Sequence, residues 1–111
     1  MGRSKEVWIA DDDKSIRWML EKAMKKDGLK VRLFSDADQL IVALKVGNPD
    51  LVLSDIRMPG TEGLDLLAHL KEVKPSTPVI IMTAYADLEK AVSSFSGGAF
   101  EYMPKPFDVS E

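Results

Sequence analysis

The chain has no cysteine and a single histidine, His69. Without thiols there can be no disulfide and no thiolate metal site, and a reducing compartment suits such a chain. The lone histidine stands among Leu67, Leu70 and Lys71. It reads as a structural or exposed helix residue, which disfavours a Ser-His-Asp triad and a histidine metal centre. No apolar run approaches the ~20 residues of a membrane span. The opening Met1-Gly2-Arg3-Ser4-Lys5-Glu6 is not followed by an apolar core of signal-peptide length. The cytoplasm is therefore the expected compartment, with no membrane partner. No G-x-x-x-x-G-K-[ST] loop occurs, so ATP hydrolysis of the P-loop kind is excluded. No glycine-rich phosphate loop follows the first apolar run, which leaves a flavodoxin-like cofactor site without support. An excess of basic charge is missing too. The net charge of -3 argues against direct nucleic-acid binding, whose footprint is basic. The one basic cluster, Lys22, Lys25, Lys26, Lys30 and Arg32, reads as cations favoured near a helix C-terminus.

What is present is an ordinary globular balance, 45% hydrophobic and 30% charged over 111 residues, enough for one domain. Short runs rich in Val, Ile and Leu recur at Val7–Ala10, Val31–Phe34, Leu51–Ser54, Val79–Met82 and Phe100–Met103. Between them the apolar spacing turns helical. Ile16, Met19, Leu20 and Ala23 form an i, i+3, i+4, i+7 stripe after the capping run Asp11-Asp12-Asp13, and Gly28 stops it. Trp18, Met19 and Met24 read as core and helix packing. A second helix is expected over about Ala37–Val46, a third over about Leu64–Val73 and a fourth over about Leu88–Ser96. Strands separated by helical crossovers imply a parallel sheet covered on both faces. The runs beginning at Val7, Leu51 and Val79 are nearly continuous, as central strands should be. Lys30 and Arg32 alternate with Val31 and Leu33, which suits an edge strand.

In a parallel sheet everything that follows a strand lies at one edge, where open α/β sheets bind ligands. Asp11 and Asp12 follow the first run, Asp55 the third, Thr83 the fourth and Lys105 the fifth. Three carboxylates at close quarters repel one another unless they are protonated or share a cation. A hard ion with oxygen ligands fits, and Mg2+ is the usual one where phosphate takes part. An ammonium and a hydroxyl could hold the other oxygens of a phosphoryl group carried on a carboxylate. Each residue alone has a plainer reading: Asp11–Asp13 as helix cap, Asp55 as turn residue, Thr83 as β-former, Lys105 as loop lysine. Their joint placement at neighbouring strand ends weakens all four.

With those residues placed, the chain resembles the receiver domain of two-component response regulators over essentially its whole length. The resemblance rests on Asp11-Asp12, on Leu53-Ser54-Asp55-Ile56-Arg57-Met58-Pro59-Gly60, on Ile81-Met82-Thr83-Ala84 and on Lys105-Pro106-Phe107. The wording of Ser15–Leu20, Ser54–Gly60 and Gly98–Phe107 is similar to the nitrogen regulatory protein C (NtrC) branch, activators that work with an alternative sigma factor. The resemblance implies a flavodoxin-like (CheY-like) α/β fold, a doubly wound five-stranded parallel sheet of order 2-1-3-4-5. It implies Asp55 as phosphoacceptor and a phosphohistidine of a sensor histidine kinase as donor. Asp12, Asp55 and the backbone carbonyl of Arg57 would hold Mg2+, Asp11 assisting through water, with Asp13 left as the helix cap. Lys105 would bind a phosphoryl oxygen, and Thr83 and Tyr102 would form a switch pair. Ala84 would leave a path for the donor, while Arg57 and Tyr85 would flank the path of hydrolytic water. The Lys105–Pro106 bond is expected cis, and the output domains of the full-length regulator are expected partners.

Asp108-Val-Ser-Glu111 is a capping-box pattern with no helix after it. The expectation is thus a receiver domain over 1–111, cut before its fifth helix, with marginal stability or a homodimer covering the bare face. Two rivals stand beside this reading. A haloacid dehalogenase-type phosphotransferase needs a second carboxylate two residues after the nucleophile, where Arg57 stands. A pseudo-receiver, a purely structural interaction module, usually lacks the Asp, Thr or Lys that this chain keeps.

Overall fold

Alternating Val, Ile and Leu runs form five parallel strands, and among the described residues three helical stripes form the crossovers between the first four. The computed structural model describes residues 5–56, 58, 60, 61, 63–83, 98 and 101–104, with Thr83 and 101–104 described as backbone. In chain order these are β1 (Glu6–Ala10), α1 (Lys14–Lys26), β2 (Lys30–Phe34), α2 (Ala37–Ala43), β3 (Leu51–Asp55), α3 (Gly63–Val73), β4 (Val79–Thr83) and β5 (Glu101–Pro104). The sheet order is β2-β1-β3-β4-β5, as the resemblance implies. The fourth helix expected at Leu88–Ser96, the Lys105–Pro106 bond and the capping pattern at Asp108–Glu111 lie outside the described residues.

Side chains alternate across the pleat, so each central strand feeds two cores. Trp8 and Ala10 of β1 join Phe34, Leu40, Val52, Leu66, Leu70 and Ile81 under α2 and α3. Val7 and Ile9 join Leu53, Met82 and Leu20 of α1 on the other face. β2 is an edge strand, with Lys30 and Arg32 exposed between half-buried Val31 and Leu33. The Arg32 guanidinium lies 4.9 Å from the centroid of Trp8, its partner across the ladder. There it covers a core aromatic at the open edge.

The ends of α1 follow their residue chemistry. Asp13 is the N-cap, its carboxylate accepting from the N–H groups of Ser15 at 2.8 Å and Ile16 at 3.4 Å. At the other end Gly28 takes φ +83°. The Leu29 N–H donates to the Met24 carbonyl and that of Gly28 to the Lys25 carbonyl, a Schellman closure.

Three expectations need correction. Trp18 is 60% exposed, with the Lys22 ammonium 4.5 Å from its ring centroid. It stands two residues from buried Leu20, roughly 160° round a helix that turns about 100° per residue, so the α1 stripe faces away from it. Ala23, counted in that stripe, is exposed as well, and Met24 packs in its place. The α2 helix stops at Ala43, short of Val46. Lys45 and Val46 bond back three residues, to Val42 and Ala43, and this tight turn leads to Gly47. A side chain on Gly47 would meet the Trp8 ring at 2.7 Å, so the bulk of Trp8 dictates where the turn runs.

Candidate functional site

The register of the ladders decides what meets at the carboxyl edge. Ala10 of β1 pairs with Ser54 of β3, and Asp55 pairs with Met82 of β4. Asp11 therefore follows β1 level with Asp55, and Thr83 closes β4 one position beyond the partner of Asp55. Asp11 keeps the sheet direction for one more residue, its N–H donating to the Phe34 carbonyl at 3.1 Å. Its carboxylate then accepts the N–H of Asp13 at 2.8 Å, which bends the chain into α1. Arg17, one turn into that helix, donates from Nη1 to the Asp11 carbonyl at 2.6 Å. The loop bearing Asp11 and Asp12 is thus held from both sides.

On β3 the constraint is steric. Asp55 is the last residue of the strand and is 8% exposed. The Ser54 hydroxyl donates to its carbonyl at 3.0 Å. The chain then loops back so closely that a side chain on Gly63 would lie 1.9 Å from that same carbonyl oxygen. The Gly63 N–H donates to the Ile56 carbonyl at 2.8 Å, sealing the loop where α3 begins. Only glycine fits there.

These supports bring one carboxylate oxygen each from Asp11, Asp12 and Asp55 within 4.8 Å of one another. Asp11 is fully buried, Asp55 nearly so and Asp12 exposed, so the cluster opens to solvent on one side. Carboxylates at that range repel one another when ionised, and a shared cation is one arrangement that relieves it. The set could hold a metal ion: all its donors are hard oxygens, without nitrogen or sulfur.

The sequence profile described as the response regulator receiver domain matches residues 7–111. The chain belongs to that family. It is 52% identical over 105 residues to the DNA-binding transcriptional regulator NtrC of Escherichia coli K12, and 53% to that of Klebsiella pneumoniae. Each alignment covers 95% of this chain and 22% of the relative, so the chain spans about a fifth of the length of these curated relatives. Among solved structures, the apo receiver domain of nitrogen regulatory protein C superposes with a TM-score of 0.84 at 52% identity, over 94% of this chain and 84% of that one. NtrX from Brucella abortus gives 0.88 at 30% identity, over 96% of this chain and 24% of that one. The receiver function and the doubly wound CheY-like fold accord with these relatives.

Of the residues singled out from sequence, Asp11, Asp12 and Asp55 are brought together. Thr83 ends the strand beside β3, and Tyr102 lies in β5 paired with Ile81. Arg57, Ala84, Tyr85 and Lys105 lie outside the described residues. His69 is half-buried and lines a groove of about 370 Å³ between α2 and α3 with Ile41, Leu44, Lys45, Val73 and Lys74. Gly63 and Arg17 were not foreseen. A glycine opening a helix just after a Pro-Gly loop was the available signal for the first; a lone helical arginine gave none for the second.

Proposed function

We propose that this chain is a regulatory phosphoacceptor, with Asp55 taking a phosphoryl group from a phosphohistidine of a sensor histidine kinase. The gathering of Asp11, Asp12 and Asp55 within 4.8 Å at the carboxyl edge of the sheet carries the proposal. An Asp55 carboxylate oxygen attacks phosphorus, the new O–P bond forms as the P–N bond breaks, and the imidazole leaves. Mg2+ suits the oxygen donors, and when bound it supplies the positive charge that lets an anionic carboxylate approach an anionic phosphoryl group.

Asp12, Asp55 and the Arg57 carbonyl would hold that ion directly, with Asp11 assisting through water. The Lys105 ammonium and the Thr83 hydroxyl bind phosphoryl oxygens, and Thr83 with Tyr102 passes the change to the β4–β5 side. Ala84 leaves room for the donor, and Arg57 and Tyr85 flank the water that later hydrolyses the acyl phosphate. The domain turns over only its own phosphoryl group. It acts in the cytoplasm on output domains of a longer regulator, making no nucleic-acid contact itself, and self-association as a homodimer is part of the same proposal.

The test is intact-mass measurement after incubation with a small phosphodonor and Mg2+. Wild-type protein gains one hydroxylamine-labile phosphoryl group, and Asp55→Asn, which keeps the shape without the nucleophile, gains none. Equal labelling of the variant would overturn Asp55 as the acceptor. An unlabelled wild type would favour the pseudo-receiver.

A further inference from the structure

The loop that leaves Asp55 is tied to a helix that contributes no carboxylate to the cluster. Its start is fixed by the Ile56 N–H on the Met82 carbonyl at 3.3 Å, and its end by Gly63 on Ile56. Met58 is buried among the α2 and α3 side chains. Between Met58 and Gly63 the described residues are tethered by a side-chain bond across 23 positions. The Thr61 hydroxyl donates to Asp38 Oδ1 at 2.5 Å, and Asp38 stands in the first turn of α2. The other carboxylate oxygen closes over Gly60, where a side chain would meet Asp38 Oδ2 at 2.6 Å. Gly60 also has φ +79°, a conformation that L side chains rarely adopt. Carboxylate, hydroxyl and bare backbone fit one another as a clasp.

We propose that Asp38 and Thr61 are positioning residues for the cation site, a clasp between α2 and the β3–α3 loop that preorganises the Asp55 side of the cluster. The proposal rests on the cation-binding reading of Asp11, Asp12 and Asp55. A loop left free in the absence of the ion has to be ordered when the ion arrives, and that entropy is lost from affinity. A loop already clasped to α2 loses less. Outer groups that orient metal ligands commonly matter by about ten- to a hundredfold in affinity. This clasp is exposed on its Asp38 side, so the lower end applies.

Calorimetric titration with Mg2+ is the test, with urea unfolding run beside it. Thr61→Val keeps the branched shape and removes the donor; Asp38→Ala removes the acceptor. Each should weaken Mg2+ binding about tenfold. Together they should lose no more than either alone, because both delete one bond. Thr61→Ser and Asp38→Asn, which retain a donor and an acceptor, should bind as wild type. The urea midpoint of Thr61→Val should fall below that of Thr61→Ser, and the gap should widen when Mg2+ is added, whereas a purely structural hydroxyl would leave the gap unchanged. Mg2+ binding that Asp12→Asn abolishes but Thr61→Val leaves within twofold of wild type overturns the clasp alone. Losses that multiply in the double variant overturn it too. Wild-type protein that takes up no Mg2+ overturns the cation reading and the clasp with it.

Discussion

Replacing Gly63 by alanine adds one methyl group at the point where the β3–α3 loop closes on the end of β3. That methyl would lie 1.9 Å from the Asp55 carbonyl oxygen, 2.8 Å from its carbonyl carbon and 2.9 Å from the Ile56 Cα. All three are backbone atoms, so no side chain can swing aside. Relief requires α3 to retreat from β3 by more than 1 Å at its first turn, since a comfortable carbon–oxygen contact is roughly 3.3 Å. The retreat would break the 2.8 Å bond from Gly63 to Ile56 and loosen Leu66, Leu67 and Leu70 in the larger core. Overpacking costs about 1–3 kcal/mol where a core can adjust, and a lost internal hydrogen bond adds about 1 kcal/mol. A loss of about 2–4 kcal/mol follows, a large part of the ~5–15 kcal/mol typical of a domain. Gly28→Ala is the matched control. Its φ of +83° imposes backbone strain of about 1–2 kcal/mol, but nothing lies within 4 Å of the added methyl. Urea unfolding of both variants, fitted with a common slope, measures the contrast. Should Gly63→Ala lose no more than Gly28→Ala, the close approach of α3 to Asp55 is not a real constraint.

The Asp13 carboxylate caps α1 through Ser15 and Ile16, so Asp13→Ala should lower stability by about 1 kcal/mol. Asp13→Ser should recover most of that in the same urea titration, and equal midpoints for wild type and Asp13→Ala would contradict the cap. Trp18, being 60% exposed, should tolerate Trp18→Ala within about 0.5 kcal/mol. The fluorescence left in that variant comes from buried Trp8 and should peak further to the blue than in wild type; an unshifted or red-shifted peak would place Trp8 in water.

The sheet was largely legible from sequence because its signals are local and redundant. Each strand is a short apolar run, each of the three described crossovers a helical stripe, and the polar break at Lys30 and Arg32 gave β2 its edge position. The order of strands needed the family resemblance, since periodicity alone does not say which run pairs with which. The carboxylate cluster was legible for a geometric reason: parallel strands deliver whatever follows them to one edge, so Asp11, Asp12 and Asp55 could be grouped before any distance was known. The Asp13 cap likewise followed from residue type and position.

What escaped was decided by surfaces meeting across the fold. Trp18 was assigned to the core by residue type, although its angular position on α1, opposite Leu20, already spoke against it. The early end of α2 depends on Trp8, about forty residues away in sequence and invisible to any local window. Asp38 and Thr61 lie on exposed or half-buried positions with no periodic signature, and only the loop closure at Gly63 brings them together. The residues that supply charge to the site stand at strand ends, where sequence pattern finds them. Those that hold the charge in place, Gly63, Arg17, Asp38 and Thr61, act through backbone atoms or single bonds to distant elements. Substitutions in the first group should therefore alter chemistry with little loss of fold, while those in the second should lower cation affinity and stability together, most of all where backbone is forced apart.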